Sequence, residues 1–381
     1  MTHFFAYADL TWPEVASLPR DQPLIIPLGE GYPLDRLSDA LGKPPQIGLL
    51  PPDLYGWQGS SLPVADPLLV ALLKNLLDSL WEDGFTRVFT LTPPGLSLGL
   101  GSEQIRLPSN LLYSIQPPES GLSKVTLAGQ RVILIPIGHT EQHAFHLPLS
   151  TDTLIIDAIS QRTAAKIPER AITLPVMPYG VSTHRSSFAG TLNCGGRAFE
   201  DFWLGVIDTL ALRGFQMVYL LSGHGGNCSF LTNIVKYAGE RHPSMFCVTA
   251  WLYLSGPKGT DALEKYHHSC RGGMGHACEL ETSLLIYLKP EFVHMERVVD
   301  EVDFITTPSY YMDWVEGGTL VAYPPWEDDS ATGAYGAGSL ATAENGRIWL
   351  EAAIAEKAAH VDEIIEQVQR RTQRRKERRT G

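Results

Sequence analysis

Residues 132–143 read VILIPIGHTEQH, an apolar run that ends in a cluster of polar side chains. The first six residues are a short apolar stretch rich in β-branched side chains, which predicts a buried strand. The polar residues Gly138 to His143 then lie at the carboxyl end of that strand. Active groups of open α/β sheets are found at this end. We therefore take this stretch as the centre of an α/β unit and the start of its site.

Similar apolar runs alternate with helical patterns along the rest of the chain. Predicted strands cover 24–28, 88–91, 132–137, 171–176, 217–221 and 245–250, and predicted helices cover 68–81, 152–165, 195–212, 228–241, 278–287 and 341–370. Strands that alternate with helices of this length indicate βαβ units. The predicted fold class is therefore α/β, with a mostly parallel sheet flanked by helices.

An internal repeat predicts that this unit is duplicated. LLDSLWEDGFTRVFTLTPPG at 76–95 aligns with VIDTLALRGFQMVYLLSGHG at 206–225, and two further segments align in the same order. The first copy has Pro94 where the second has His224, so we expect it to be inactive. The predicted organisation is a degenerate domain at 1–125, a catalytic domain at 126–360 and a basic tail at 361–381. The alternative is a chance similarity between two ordinary αβ units.

The composition narrows the classes of partner. The net charge of -12 argues against nucleic acid, because phosphate binding needs a basic surface. The sequence has no apolar run of membrane-spanning length and no opening that resembles a signal peptide, so we expect a cytoplasmic protein without a membrane partner. The five cysteines form no CxxC pair, which predicts free thiols rather than a cysteine zinc site. The arginine-rich tail is either a solvated helix end or an anion-binding segment.

The first polar cluster has the composition of a metal site. Glu141 and His143 are two residues apart and share a face of an extended chain, and Asp152 opens the next predicted helix. Carboxylates with an imidazole form a ligand set for zinc, manganese or iron. The alternative is that Asp152 only caps its helix beside two loop residues.

Two further clusters carry candidate site residues. Ser222 to Asn227 contains His224 in a glycine-rich turn after a strand; a phosphate loop fits poorly there because it lacks lysine. His276 precedes Glu281 by five residues, so we expect His276 in the glycine loop and Glu281 in the following helix. Such a loop histidine can carry protons, or it can be a helix-start residue without a role.

Together these motifs resemble those of the creatininase (creatinine amidohydrolase) family. The family shows a Gly-x-x-Glu-x-His strand end, an Asp eleven residues after the Glu, a Gly-His-x-x-Asn loop and a His-x-x-x-x-Glu-Thr-Ser segment. The matching residues are Gly138, Glu141, His143, Asp152, Gly223, His224, Asn227, His276, Glu281, Thr282 and Ser283. The resemblance spans about residues 130 to 290.

The resemblance implies a site for two divalent metal ions, zinc or manganese with iron possible, in a homo-oligomer. The implied ligands are Glu141, His143, Asp152 and His224, with Asp152 shared between the ions and His276 transferring protons. The family's additional ligand Glu falls on Gly226 here, so Glu281 is the candidate replacement and a second catalytic group, followed by Glu279. The residues expected to line the substrate pocket are Ser182, His184, Gly225 and Asn227.

The implied activity is hydrolysis of a C–N bond in a small cyclic amide, lactam or formamide by metal-activated water. Creatinine itself is disfavoured, because residues 270–274 lack the tryptophans that the family places there. Two alternatives remain open: a hydrolase that opens a cyclic ketone or carbocycle, and a non-catalytic metal-binding scaffold. The expected partner is a small-molecule substrate.

Overall fold

A computed structural model describes residues 1–107, 131–183, 187–315 and 317–380. Its strands are β1 (His3–Ala6), β2 (Leu24–Pro27), β3 (Gln46–Leu49), β4 (Val88–Thr92), β5 (Gln104–Arg106), β6 (Val132–Ile137), β7 (Ala171–Thr173), β8 (Met217–Ser222), β9 (Phe246–Thr249), β10 (Met274–His276) and β11 (Tyr335–Gly336). Its α-helices are α1 (Trp12–Ala16), α2 (Leu34–Ala40), α3 (Asp66–Glu82), α4 (Thr151–Lys166), α5 (Gly196–Leu212), α6 (Cys228–Arg241), α7 (Pro257–Tyr266), α8 (Glu279–Leu288) and α9 (Ala343–Thr380).

Two parallel sheets form the framework, which confirms the predicted α/β class. The first has the strand order β1-β3-β2-β4-β5 and the second β7-β6-β8-β9. All six residues of β6 and of β8 are buried, as expected for parallel strands covered on both faces. Because β6 and β8 are neighbours, the loops that follow them meet at one edge of the sheet.

The two halves of the chain share a hydrophobic core. Leu72 and Leu76 of α3 lie in the same buried cluster as Phe202 and Trp203 of α5. A second cluster fills the space between the β6–β8 sheet and helices α4, α8 and α9. The two halves of the chain are therefore packed directly against each other through a common core.

The C-terminal helix departs from the predicted division. Helix α9 continues without a break to Thr380, and Val361 and Ile364 beyond the expected boundary are buried in the second core. The second core therefore includes residues from the segment interpreted as a tail. The other expected boundary, at residue 125, lies outside the described residues.

The cysteines agree with the expectation from composition. All five cysteines are free thiols. Among the helices of the described residues, none combines the length and the apolar character needed to cross a bilayer.

Candidate metal centre

The candidate site is assembled from four separate segments at the carboxyl ends of β6 and β8. The loop after β6 supplies Glu141 and His143, the first turn of α4 supplies Asp152, and the turn after β8 supplies His224. Glu281 comes from the first turn of α8. All five side chains belong to residues that are at most 7% exposed. Imidazole and carboxylate groups are thus gathered away from bulk water.

Asp152 lies between two histidines. Its Oδ1 is 3.3 Å from His143 Nε2, and its Oδ2 is 3.2 Å from His224 Nδ1. Glu141 Oε1 is 2.9 Å from the same nitrogen of His224. The structure therefore brings together the four side chains that the sequence pointed to as ligands.

Glu281 completes this cluster on the His143 side. Its Oε2 accepts a hydrogen bond of 2.6 Å from the Ala277 backbone N–H, which leaves Oε1 at 4.0 Å from His143 Nε2. Glu279, the second candidate, instead accepts hydrogen bonds from the backbone N–H groups of His268 and Ser269. Glu281 is therefore the carboxylate that faces the centre.

Gly226 cannot be replaced by a glutamate in this loop conformation. A Cβ built on Gly226 would lie 2.3 Å from the Val181 carbonyl oxygen and 2.4 Å from His224 Nε2. Both distances are far below a normal contact, so a side chain here would displace His224. The carboxylate has to come from another element, and α8 supplies Glu281.

Three imidazole rings are oriented as metal ligands are. His143 Nδ1 donates to the Glu141 carbonyl at 3.2 Å, and His224 Nε2 donates to the Val181 carbonyl at 3.0 Å. His276 Nε2 donates to the Gln142 carbonyl at 2.7 Å. Because a carbonyl only accepts, the bonded nitrogen of each ring carries a proton, and the other nitrogen is the one that can present a lone pair to a cation. Metal-binding histidines show this arrangement.

His139 has the opposite orientation and was not among the predicted site residues. Its Nδ1 accepts a hydrogen bond of 2.9 Å from the Gly180 backbone N–H, so the ring proton lies on Nε2, 4.0 Å from Glu141 Oε2. Its ring centroid is 4.5 Å from that of His224. His139 therefore presents a donor toward Glu141 and not a lone pair. The sequence signal was its spacing of two residues before Glu141, directly after a strand.

Electrostatics show that the cluster requires positive charge. Burial by itself lowers the pKa of His143, but the neighbouring Asp152 carboxylate outweighs it and raises the pKa to about 9. The pKa of His224 is raised well above its usual value in the same way by Glu141 and Asp152, although burial opposes this. Burial raises the pKa of Glu281 to about 7. Without a metal ion, protons on these groups supply the charge that a cation would provide.

The residues fit divalent cations. His143 Nε2 and Asp152 Oδ2 are buried and make no hydrogen bond. Three sets of three donor atoms lie within 4.8 Å of one another: His139, Glu141 and His224; Glu141, His143 and His276; and His143, Asp152 and Glu281. Nitrogen and carboxylate donors in this mixture suit zinc or manganese.

His276 lies at the rim of the cluster, in a setting that differs from the expected one. It is the last residue of β10, which pairs antiparallel with β11, and not part of a glycine loop. Its side chain is 12% exposed, and its Nδ1 is 3.7 Å from Glu141 Oε1. The Trp326 ring packs edge-on against His276, with centroids 5.4 Å apart. No sequence pattern connects Trp326 with the site, because Trp326 and His276 are fifty positions apart.

The four residues expected to contact substrate have different surroundings. Nothing lies within 4 Å of a Cβ built on Gly225, so this position faces open space. Ser182 is 2% exposed. The Asn227 amide donates to the Gly138 carbonyl and accepts from the Val181 N–H, so it holds three loops together. His184 lies outside the described residues.

Known proteins are similar to the part of the chain that carries this site. A family model described as creatininase, creatinine amidohydrolase, matches residues 122–361. Creatinine amidohydrolase from Pseudomonas putida is 28% identical over 186 residues, which cover 45% of this chain and 70% of that protein. The mycofactocin precursor peptide peptidase of Mycobacterium ulcerans (strain Agy99) is 33% identical over 173 residues. That alignment covers 44% of this chain and 62% of the peptidase, which is less than two thirds of its length.

A solved structure described as creatininase Mn superposes on the same fold. It has a TM-score of 0.52 and 26% sequence identity, and the match covers 62% of this chain and 92% of that one.

Proposed function

We propose, on the premise that this chain belongs to the creatininase family of metal-dependent amidohydrolases, that it hydrolyses a C–N bond in a small cyclic amide, lactam or formamide. One observation carries the proposal. Asp152 lies between His143 and His224, and each histidine turns toward it the ring nitrogen that no backbone carbonyl holds. Such a centre binds cations and excludes most of the surrounding water.

We propose that the centre holds two divalent ions, manganese or zinc. The two oxygens of Asp152 face different histidines, so the carboxylate can be shared between two ions. Glu141 and His224 would hold one ion, and His143 and Glu281 the other. When bound, such ions lower the pKa of water and polarise a carbonyl oxygen.

The chain's own residues would manage the proton. Burial holds the pKa of His276 well below its usual value, so the ring is neutral. Its Nε2–H is held by the Gln142 carbonyl, which leaves Nδ1 to take a proton and deliver it to the departing nitrogen. The edge-on contact with Trp326 restricts rotation of the His276 ring. Gly225 leaves space for substrate to approach.

Metal removal tests this function. Protein stripped with a chelator should lose hydrolysis, and addition of Mn²⁺ or Zn²⁺ should restore it. The substrate panel should contain cyclic amides, lactams, formamides, cyclic ketones and short peptides, since a relative is named a peptidase. Hydrolysis that persists in metal-free protein would reject the proposal, and so would a protein that binds no metal.

We also propose that the first half is an inactive copy of the second. Strands β3-β2-β4-β5 occur in the same order as β7-β6-β8-β9. An isolated parallel bridge between Leu28 and Asp53 corresponds to one between Ile137 and Met177. In the first half the position aligned with Glu141 is Tyr32, whose hydroxyl donates to the Leu28 carbonyl. Because the Tyr32 hydroxyl is engaged in this hydrogen bond, the position offers no carboxylate or imidazole ligand for a metal.

A further inference from the structure

We infer that the first half of the chain positions the metal-binding loop of the second half, as a partner subunit built into the same polypeptide. The inference rests on the proposed function, because it concerns the ligand Glu141. It goes beyond that function by assigning an active-site task to residues outside the catalytic half. The residues that carry it lie on one face of α3 and at its C-cap.

The two halves meet in a reciprocal contact. The Tyr55 hydroxyl donates to the Pro175 carbonyl, and the Tyr179 hydroxyl donates to the Pro51 carbonyl. The same spacing of 124 residues separates the two tyrosines and the two prolines. Helices α3 and α5, which align in the repeat, also pack against each other. Equivalent surfaces that contact each other both ways are the mark of a two-fold interface.

Across this interface, α3 and its C-cap residue Asp83 hold a loop of the catalytic half at three points. Asn75 Nδ2 donates to the Cys194 carbonyl at 2.6 Å, and Ser79 Oγ accepts from the Asn193 N–H at 3.1 Å. Asp83 Oδ2 accepts from the Gly190 N–H at 2.8 Å. These three residues of the first half are spaced four apart, so they share one face of the helix. The loop 190–194 is thereby fixed from end to end.

The same loop is bonded to the backbone on both sides of Glu141. The Leu192 N–H donates to the Thr140 carbonyl at 3.0 Å. The Gln142 N–H donates to Thr191 Oγ1 at 2.9 Å. The position of the Glu141 carboxylate is therefore set by a loop that α3 holds.

A second contact from the first half reaches Asp152. The Leu149 N–H donates to the Leu10 carbonyl, and the Ser150 N–H donates to the Ala8 carbonyl, both at 2.9 Å. Ser150 directly precedes α4, in whose first turn Asp152 lies. Two of the three candidate ligand carboxylates, Glu141 and Asp152, thus lie next to backbone that the first half holds, for Glu141 through the loop 190–194. Asn75, Ser79 and Asp83 are positioning residues.

The test uses full-length protein and two independent measurements. Mn²⁺ is titrated into metal-free protein by calorimetry, and amide hydrogen exchange is followed in the metal-free protein. Asp83→Ala removes the acceptor for Gly190, whereas Asp83→Asn retains an oxygen there. Asp78→Ala, an exposed residue on the same helix, is the matched control. A triple variant, Asn75→Ala with Ser79→Ala and Asp83→Ala, removes all three bonds.

The triple variant should bind Mn²⁺ about tenfold more weakly, the scale expected for residues that orient metal ligands. Exchange of the Gln142 amide should speed up, while amides of β8 stay protected. Asp83→Ala should show the same trend to a smaller extent, and Asp83→Asn and Asp78→Ala should match wild type. If the triple variant does not fold, Asp83→Ala against Asp83→Asn decides.

Unchanged Mn²⁺ affinity and unchanged Gln142 exchange in a folded variant would overturn the inference, even if its melting temperature fell. A wild-type protein that binds no Mn²⁺ and no Zn²⁺ would instead reject the proposed function. The exchange measurement would still judge the positioning role in that case, so the two failures are distinguishable.

Discussion

Individual side chains in the centre are distinguished by the direction in which their polar atoms point. His139 and His143 are four residues apart in one loop, yet their hydrogen bonds place the ring protons on opposite nitrogens. Of these two rings, only that of His143 turns its second nitrogen to Asp152. Residue type alone would make the two histidines equivalent ligands, and the backbone partner of each ring removes that equivalence.

Replacing Glu281 tests which carboxylate joins the centre. In Glu281→Gln, the second ion loses a charged ligand, so metal content should fall from about two ions per chain to about one. Elemental analysis of protein reconstituted with Mn²⁺ measures this. Glu279→Gln, in the same helical turn, is the matched control, because Glu279 faces His268 and Ser269. Equal metal loss in both variants would remove the assignment.

Replacing His276 separates proton transfer from metal binding. His276→Ala should keep the metal content of wild type while kcat falls by about 10²- to 10⁴-fold, the range for a general acid or base. Steady-state kinetics and elemental analysis on the same preparation provide both values. A loss of one ion with the activity would make His276 a ligand instead.

At the scale of elements, the site exists because β6 and β8 are neighbours and end at the same level. Ile137 pairs with Ser222, so the loops that begin at Gly138 and Gly223 start side by side. A Cβ on Gly223 would come within 2.5 Å of the Asp152 carbonyl oxygen, which shows how closely this turn approaches α4. Strand pairing therefore brings together ligands that are far apart in sequence.

The segment after β3 carries a buried carboxylate that makes stability depend on pH. Asp53 is fully buried, accepts one hydrogen bond from the Tyr55 N–H, and burial raises its pKa to about 7. The folded state therefore holds this proton more tightly than the unfolded state, whose carboxyl titrates near pH ~4. The stability that Asp53 contributes is full below that pH and is lost as the pH rises through about 7.

Asp53→Asn should remove this loss. Relative to wild type, the variant should gain up to about 4 kcal/mol of unfolding free energy between pH 4 and pH 8, because the pKa of Asp53 is about 7 in the folded state and about 4 in the unfolded state. Urea unfolding at several pH values measures the difference. Asp35→Asn, at an exposed position, serves as the control. A difference between Asp53→Asn and wild type that does not change with pH would contradict the prediction.

At the scale of the whole molecule, the two halves are expected to unfold together because they share a core. Trp203 of α5 is fully buried and packs edge-on against Tyr55 of the first half, with ring centroids 5.5 Å apart. Trp203→Ala should lower the unfolding free energy by about 3–5 kcal/mol. Leu212→Ala, on the same helix but 88% exposed, should change it little.

A single transition in both variants, seen by calorimetry and by fluorescence, would show that the halves form one cooperative unit. Two separated transitions, with Trp203→Ala shifting only one of them, would show that the shared core does not couple the halves.

Local sequence patterns predict the main elements around the site and the chemistry of its side chains. The bounds of β6 and α6 agree with the predicted ones, and the strand-end positions of Glu141 and His224 follow from apolar runs that only a buried strand tolerates. The residue types in the three polar clusters indicated a metal centre before any distance was known. These are local properties, set by hydrophobic periodicity and by the donor atoms that each side chain carries.

Tertiary structure alone decided the rest. It directs Glu281 toward His143 and Glu279 toward the backbone of Ser269. It places Trp326 against His276. It also decides which ring nitrogen of His224 donates to a backbone carbonyl and which faces the carboxylates. It also brought Asp83 of the first half to the loop beside Glu141. These relations depend on side-chain direction and on contacts between residues far apart along the chain, and such contacts follow from packing, which sequence periodicity does not encode.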